Sequence, residues 1–120
     1  ADTDRELLDQ LFAKRREARI EHARARLAPK RTLRARVAEL TRILDEDGYL
    51  ASWEQVGPGV FRIVEHNCAI WAVAERYGQA CTSEIEFIRA VLDGAEVDRV
   101  QHMVAGARRC AYEVSEVSAR

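Results

Sequence analysis

The stretch YLASWEQVGPGVFRIVEH, Tyr49–His66, decides the fold of this chain. Ala51 and Trp53 alternate with polar neighbours, the central GPG supplies a turn, and Phe61 and Ile63 resume the alternation on the way back. A period of two on both sides of a Gly-Pro turn is typical of two antiparallel strands. The stretch therefore predicts a β-hairpin.

Two long helices are predicted before this hairpin. From Asp4 to about Leu27 apolar residues recur at steps of three or four, and Pro29 ends the pattern. A second helix runs from about Thr32 to Gly48, and its apolar positions have heptad-like spacing: Leu33, Val37, Leu40 and Leu44. The stripe on the first helix is narrow, which favours packing along another helix, and a dimer seam is one solution.

Two short helices are predicted after the hairpin. The first runs from Cys68 to about Tyr77 with Asn67 as its N-cap. The second runs from Ser83 to about Leu92, where Ser83 and Glu86 match a capping box.

The chain then returns to alternation in VDRVQHMVAGARRCAYEV, residues 97–114, which predicts a second hairpin that turns near Gly106. Together the patterns predict an α+β fold: long N-terminal helices followed by two β-hairpins of an antiparallel sheet, with two short helices between the hairpins. The boundary between the helical part, 1–48, and the mixed part, 49–120, falls at Gly48.

Composition limits the classes of function. The chain has 120 residues, 48% of them hydrophobic and 32% charged, with a net charge of -1, so it fits one domain without a global attraction to nucleic acid. Ten of its 19 Lys and Arg residues nevertheless lie within 14–36, against two acids. Such a run could contact DNA phosphates, but it is more often a solvated helix face. Without a membrane-length apolar run or a signal peptide, the predicted location is the cytoplasm.

The three cysteines are the best indication of chemistry. An odd number does not suit a secreted disulfide framework, whereas a reducing cytosol keeps thiols available for metals. Cys68 is predicted in the first turn of one helix and Cys81 just before the cap of the next, where amide groups favour a thiolate, and Cys110 is predicted on a strand. Any one of them could be a small core residue, and their dispersed spacing is weaker evidence for a metal than paired CxxC motifs.

The strings VEHNCAIWAVAERYGQAC (64–81) and VDRVQHMVAGARRCAYEV, with LDEDGYLASWE (44–54), resemble the C-terminal sensor region of the SufR family of iron-sulfur-dependent transcriptional repressors. The resemblance covers about 38–114, and its most specific parts are EHNC and H…G…RCAY. It implies a 4Fe-4S cluster, a homodimer and control of cluster-assembly genes. It also implies that 1–48 is a linker and dimerisation segment, that 49–120 is the sensor, and that DNA is bound through an N-terminal winged-helix domain absent from this chain.

The resemblance also implies a ligand set. Family members of the cyanobacterial type carry four cysteines, of which the first, second and fourth fall on Cys68, Cys81 and Cys110, while the third falls on Ala95. Asn67, next to Cys68 in EHNC, is placed at the cofactor. One iron then needs another ligand, unless a three-iron cluster or a water-ligated iron is the native form.

Candidates for the fourth ligand are His66 and His102, with Glu65 and Asp98 as weaker ones. A three-residue loop in the second hairpin would pair His102 with Cys110 on one face. A loop of two or four residues would instead pair Cys110 with Gln101 or Met103.

Two alternatives stay open. The three cysteines and a histidine could hold a structural zinc ion in an interaction domain. An enzyme would need a nucleophile with a base, and His66 beside Cys68 is the candidate pair, but no oxyanion apparatus or glycine loop accompanies it. The chain is therefore predicted not to be an enzyme and to have no small-molecule substrate.

Overall fold

The computed structural model describes residues 2–66, 79–101 and 109–117. In those ranges the chain forms three helices and four strands in an α+β arrangement, as predicted. The elements in chain order are α1 (Asp2–Leu27), α2 (Leu33–Glu46), β1 (Ala51–Gly57), β2 (Val60–Glu65), α3 (Gln79–Val91), β3 (Ala95–Gln101) and β4 (Cys110–Glu116). The predicted helix from Cys68 to Tyr77 lies outside the described residues.

The four strands form one antiparallel sheet in the order β1-β2-β4-β3. The predicted hairpin of β1 and β2 is confirmed, and Gly59 in its turn has a φ of 67°, a left-handed conformation that glycine adopts without steric cost. β3 and β4 also pair, and β2 and β4 join the two strand pairs at the centre of the sheet.

α2 confirms its sequence signals. Thr32 is the N-cap, and its Oγ1 accepts a hydrogen bond of 3.1 Å from the backbone N–H of Ala35. Val37, Leu40 and Leu44 are fully buried, as their spacing predicts. Gly48 follows the helix end with a φ of 98°.

The apolar stripe of α1 is divided between two environments. Ala23 and Leu27 are buried in the chain's own core and Ile20 packs against it, so this part of the stripe is covered within the monomer. Leu7 and Leu11, in the first half of the helix, are 53% and 64% exposed. The large exposed apolar side chains of α1 in the described residues therefore lie in its N-terminal half.

The beginning of α3 differs from the prediction. The helix already includes Gln79, so Ser83 lies inside it and cannot be its N-cap, and Cys81 is the third residue of the helix rather than a residue before it. Ser83 and Glu86 do not form a capping box; both contact Arg16 of α1, at 3.1 Å and 3.0 Å. The S-x-x-E pattern here marks a helix-helix contact.

Much of the basic run stabilises the fold rather than facing solvent alone. Arg26 of α1 binds Glu39 of α2 at 2.7 Å and Glu46 at 2.6 Å. Arg36 donates to the carbonyl of Val91 at 2.9 Å, and to the Asp93 carboxylate at 3.1 Å, just beyond the end of α3. These cations hold the helices to one another.

One hydrophobic core lies between the helices and the inner face of the sheet. Its largest fully buried side chains come from the helices, the sheet and the turn after α2: Tyr49, Tyr112, Phe87, Leu40, Leu44, Ile63, Ile88 and Leu92. No helix in the described part of the chain combines the length and the apolar character needed to cross a bilayer.

Candidate metal centre

Cys110 and Glu65 meet at one end of the two central strands. Cys110 begins β4 and pairs in register with Glu65, the last residue of β2. Both are buried, with exposures of 7% and 2%. Residues directly opposite each other in an antiparallel pair project from the same face of the sheet, with Cβ atoms about 4.5–5.5 Å apart. The thiol and the carboxyl group therefore share the face that packs on the helices.

Glu65 is an unusual residue to find at this position. Its Oε2 is buried and has no hydrogen-bond partner, while the Tyr112 hydroxyl bonds to the carboxyl group. Burial, and then the negative charge of Glu84, raise the pKa of Glu65 well above its ordinary value, and Arg19, Tyr112 and Arg99 oppose that rise only in part. Without a bound cation this side chain favours its neutral form.

Glu84 of α3 forms the second buried carboxylate of the centre. Its Oε2 accepts hydrogen bonds from Nη1 of Arg19 at 2.7 Å and from the Tyr49 hydroxyl at 3.1 Å. Burial alone would lower the pKa of Arg19, but the Glu84 charge and hydrogen bond outweigh it and raise that pKa. Burial and Glu84 also raise the pKa of Tyr49. Arg19 stays charged and Tyr49 stays neutral, so Glu84 is well satisfied as an anion.

Arg19 links this buried network to α1. Its guanidinium lies 4.1 Å from the ring centroid of Phe87 and 5.8 Å from that of Tyr49. The contacts fix Arg19 between α3 and Tyr49, in the turn after α2. The sequence pattern did not reveal this role, because Arg19 falls in a run of basic residues that favours a solvated face.

The other two cysteines are near these residues in sequence. Cys68 follows Glu65 by three residues, and Cys81 precedes Glu84 by three positions in α3. Asn67, Cys68 and the side chain of Cys81 lie outside the described residues.

The register of the second strand pair agrees with one of the predicted loops. Gln101 pairs with Ala111, which is the register that a three-residue loop requires, and Cys110 does not pair with Gln101. His102, the residue after Gln101, lies outside the described residues.

Two other ligand candidates are placed away from Cys110. His66 is exposed at the end of β2, and strand alternation assigns it to the face opposite that of Glu65, while its backbone N–H donates to the Leu50 carbonyl at 3.3 Å. Asp98 is exposed and pairs with Glu113, three positions along β4 from Cys110. Neither side chain shares the face of Cys110 and Glu65.

The position that corresponds to the family's third cysteine is also distant. Ala95 pairs with Glu116, at the opposite end of β4 from Cys110. The two ends are six residue steps apart along β4, a distance of about 20 Å. A cysteine at position 95 would therefore not reach the thiol of Cys110.

The donor atoms that do meet fit a metal centre in their chemistry. Thiolate and carboxylate both bind iron and zinc, and the buried Oε2 of Glu65 is an acceptor without a donor. Within 2–66, 79–101 and 109–117 no group of three or more Cys, His, Asp or Glu side chains is close enough to hold a metal. Among the described residues, the structure therefore brings together two of the predicted ligands, Cys110 and Glu65.

The comparisons with known proteins add no family assignment. The resemblance to the SufR family rests on the sequence motifs quoted above. No protein-family model matches the chain, and no curated protein is significantly similar to it.

Proposed function

We propose that this chain is the iron-sulfur-dependent sensor domain of a transcriptional regulator of the SufR type. The observation that carries the proposal is the buried Cys110–Glu65 pair at the end of β4 and β2. The segments that carry Cys68 and His102 follow β2 and β3 in the sequence, and the proposal assigns the remaining ligands to them and to Cys81.

Cys68, Cys81 and Cys110 would hold the cluster. When bound, a 4Fe-4S cluster supplies an anionic centre that is sensitive to oxidants and to iron supply. The residues of the chain provide the surroundings: the core excludes water from Cys110, and Arg19 offsets part of the negative charge contributed by Glu65 and Glu84.

The same network gives a route from the centre to α1. Glu84 interacts with Glu65 through charge and with Arg19 through a buried ion pair, and Arg19 belongs to α1. A change in the charge of Glu65 therefore changes the free energy of the contact that positions α1. In a full-length homodimer that contacts DNA through a preceding domain, a resulting movement of α1 would alter the affinity for operators of cluster-assembly genes.

The proposal includes the division into a linker with dimerisation function (1–48) and a sensor (49–120), which the family resemblance implies. It also includes a cytoplasmic location and a lack of catalysis, which rest on the composition and on the motifs of the sequence. The exposed Leu7 and Leu11 support a dimer contact on the first half of α1.

The decisive experiment is isolation of the chain without oxygen, with iron, sulfide and zinc assayed on the same sample as its visible absorption and Mössbauer spectra. Iron and sulfide in equal amounts, with absorption that bleaches in air, are the expected result. In Cys110→Ala this absorption should be lost, whereas in Val114→Ala, which truncates another buried residue of β4, it should remain.

A structural zinc site is the second candidate, because Cys110 is a thiol ligand in either case. A colourless protein that holds zinc without sulfide would contradict the sensor proposal and favour an interaction domain. Zinc that persists in air, and a fold that is lost on chelation, would complete that assignment.

A further inference from the structure

We infer that Glu65 is the fourth protein ligand of the cluster. The inference rests on the proposed function and adds the identity of the group that replaces the missing cysteine. Three thiolates leave one iron of a 4Fe-4S cluster without a cysteine ligand, and Ala95 lies at the far end of the sheet from Cys110.

The position of Glu65 is the first argument. It is directly opposite Cys110 in register and projects from the same face of the sheet. A group that binds both side chains needs no movement of either strand, since β2 and β4 are adjacent central strands.

The unsatisfied oxygen is the second argument. A buried polar atom without a partner costs about 1–3 kcal/mol, so such atoms in native proteins call for an explanation. Oε2 of Glu65 is such an atom in a residue that is 2% exposed. Coordination of a cation would satisfy it, and Tyr112 would orient the carboxyl group through its hydroxyl.

The described alternatives lack these features. His66 and Asp98 are exposed on the other face of the sheet. His102 is the remaining rival, because the register at Gln101 and Ala111 leads toward Cys110.

The consequence is a cluster with one distinct iron. An oxygen ligand binds iron less strongly than a thiolate in a cluster, so this iron exchanges more readily than the others. The iron bound by the carboxylate would be the single labile iron through which the domain responds, while the three cysteines retain the other irons.

The test uses the whole chain, reconstituted without oxygen from ferrous iron and sulfide. Mössbauer spectra of the wild type, Glu65→Gln, Glu65→Cys, His102→Ala and the control Glu113→Gln are compared. Glu113 is also a carboxylate of the sheet, but it binds Arg62 on the outer face. We expect a distinct iron in the wild type and in Glu113→Gln. In Glu65→Gln the Mössbauer signal of that iron should change, and that iron should be the first one lost on mild oxidation. Glu65→Cys should give all the irons similar signals and slow the loss of iron.

The outcomes distinguish a failure of the proposed function from a failure of the assignment of Glu65 as a ligand. A wild type that forms no cluster contradicts the proposed function itself. A wild-type cluster whose distinct iron is unaffected by Glu65→Gln and Glu65→Cys, but is changed by His102→Ala, contradicts the assignment of Glu65 and leaves the sensor function intact. If Glu65→Gln does not fold, as judged by circular dichroism, Glu65→Cys carries the test: an unchanged distinct iron in that variant overturns the inference.

Discussion

Replacing Arg19 by Met should reveal how strongly the buried network stabilises the fold. The Arg19 and Glu84 side chains are 13% and 5% exposed, and their ion pair measures 2.7 Å. Met retains most of the apolar stem but leaves the Glu84 charge without its cation. Removing one partner of a buried pair costs about 3–5 kcal/mol. The second contact of Arg19, to the more exposed Asp47 at 3.4 Å, adds little.

The assay is urea unfolding followed by circular dichroism, on Arg19→Met, Glu84→Gln and the double variant. Because Gln carries no charge that needs a cation, the double variant should lose less free energy of unfolding than the sum of the single variants, by about 2 kcal/mol or more. Arg42→Met is the control: Arg42 is 66% exposed and also pairs with a glutamate, so its loss should stay within about 1 kcal/mol.

Two results would refute this reasoning. If Arg19→Met unfolds within about 1 kcal/mol of the wild type, the pair does not hold α1 to α3. If the effects of Arg19→Met and Glu84→Gln are additive, Arg19 acts through its ring contacts with Phe87 and Tyr49 rather than through charge.

Three further outcomes are expected in the metal-free protein. Because the pKa of Glu65 is raised in the folded state, the free energy of unfolding should fall as pH rises from about 4.3, the pKa of Glu65 in the unfolded chain, toward its pKa in the folded protein. In thermal melts at pH 5 and pH 7, Glu65→Gln should reduce this fall, and an unchanged pH dependence would contradict the raised pKa of Glu65. The hydrogen bond from Arg26 lowers the pKa of Glu39, so the stabilisation from Glu39 is present above the pKa of Glu39 in the unfolded chain and is lost as pH falls. In urea unfolding, Glu39→Gln should cost about 1–2 kcal/mol at pH 7 and little in acid. Gly94→Ala should lower the free energy of unfolding by about 1 kcal/mol, because the φ of Gly94 is 87°, even though no atom would lie within 4 Å of the added Cβ. Gly57→Ala, at a position without a positive φ, should cost less in the same melts.

The elements that the sequence predicted well are those determined by neighbouring residues. The start of α2 near Thr32 and the alternation about the GPG turn both depend on contacts within a few positions. The capping box at Ser83 failed for the opposite reason: the same pattern is compatible with a helix interior, and only the distant Arg16 distinguishes the two.

The buried charges were the least predictable part of the candidate site. A hydrophobic pattern assigns charged residues to solvent, and it cannot show that Arg19 meets Glu84, which is 65 positions away. From the sequence, Glu65 is a weaker ligand candidate than the two histidines. Its pairing with Cys110 depends on the register between β2 and β4, which no local signal specifies.

α1 also has a mechanical consequence. Among the described residues its contacts with α3 extend to Phe12, whose carbonyl accepts a hydrogen bond of 3.5 Å from Ser83, and eight residue steps, about 12 Å of helix, separate Phe12 from Asp4. A tilt of about 10° at Phe12 would move Asp4 by about 2 Å. A small angular change at the core would thus become a larger displacement at the N-terminal end of the helix.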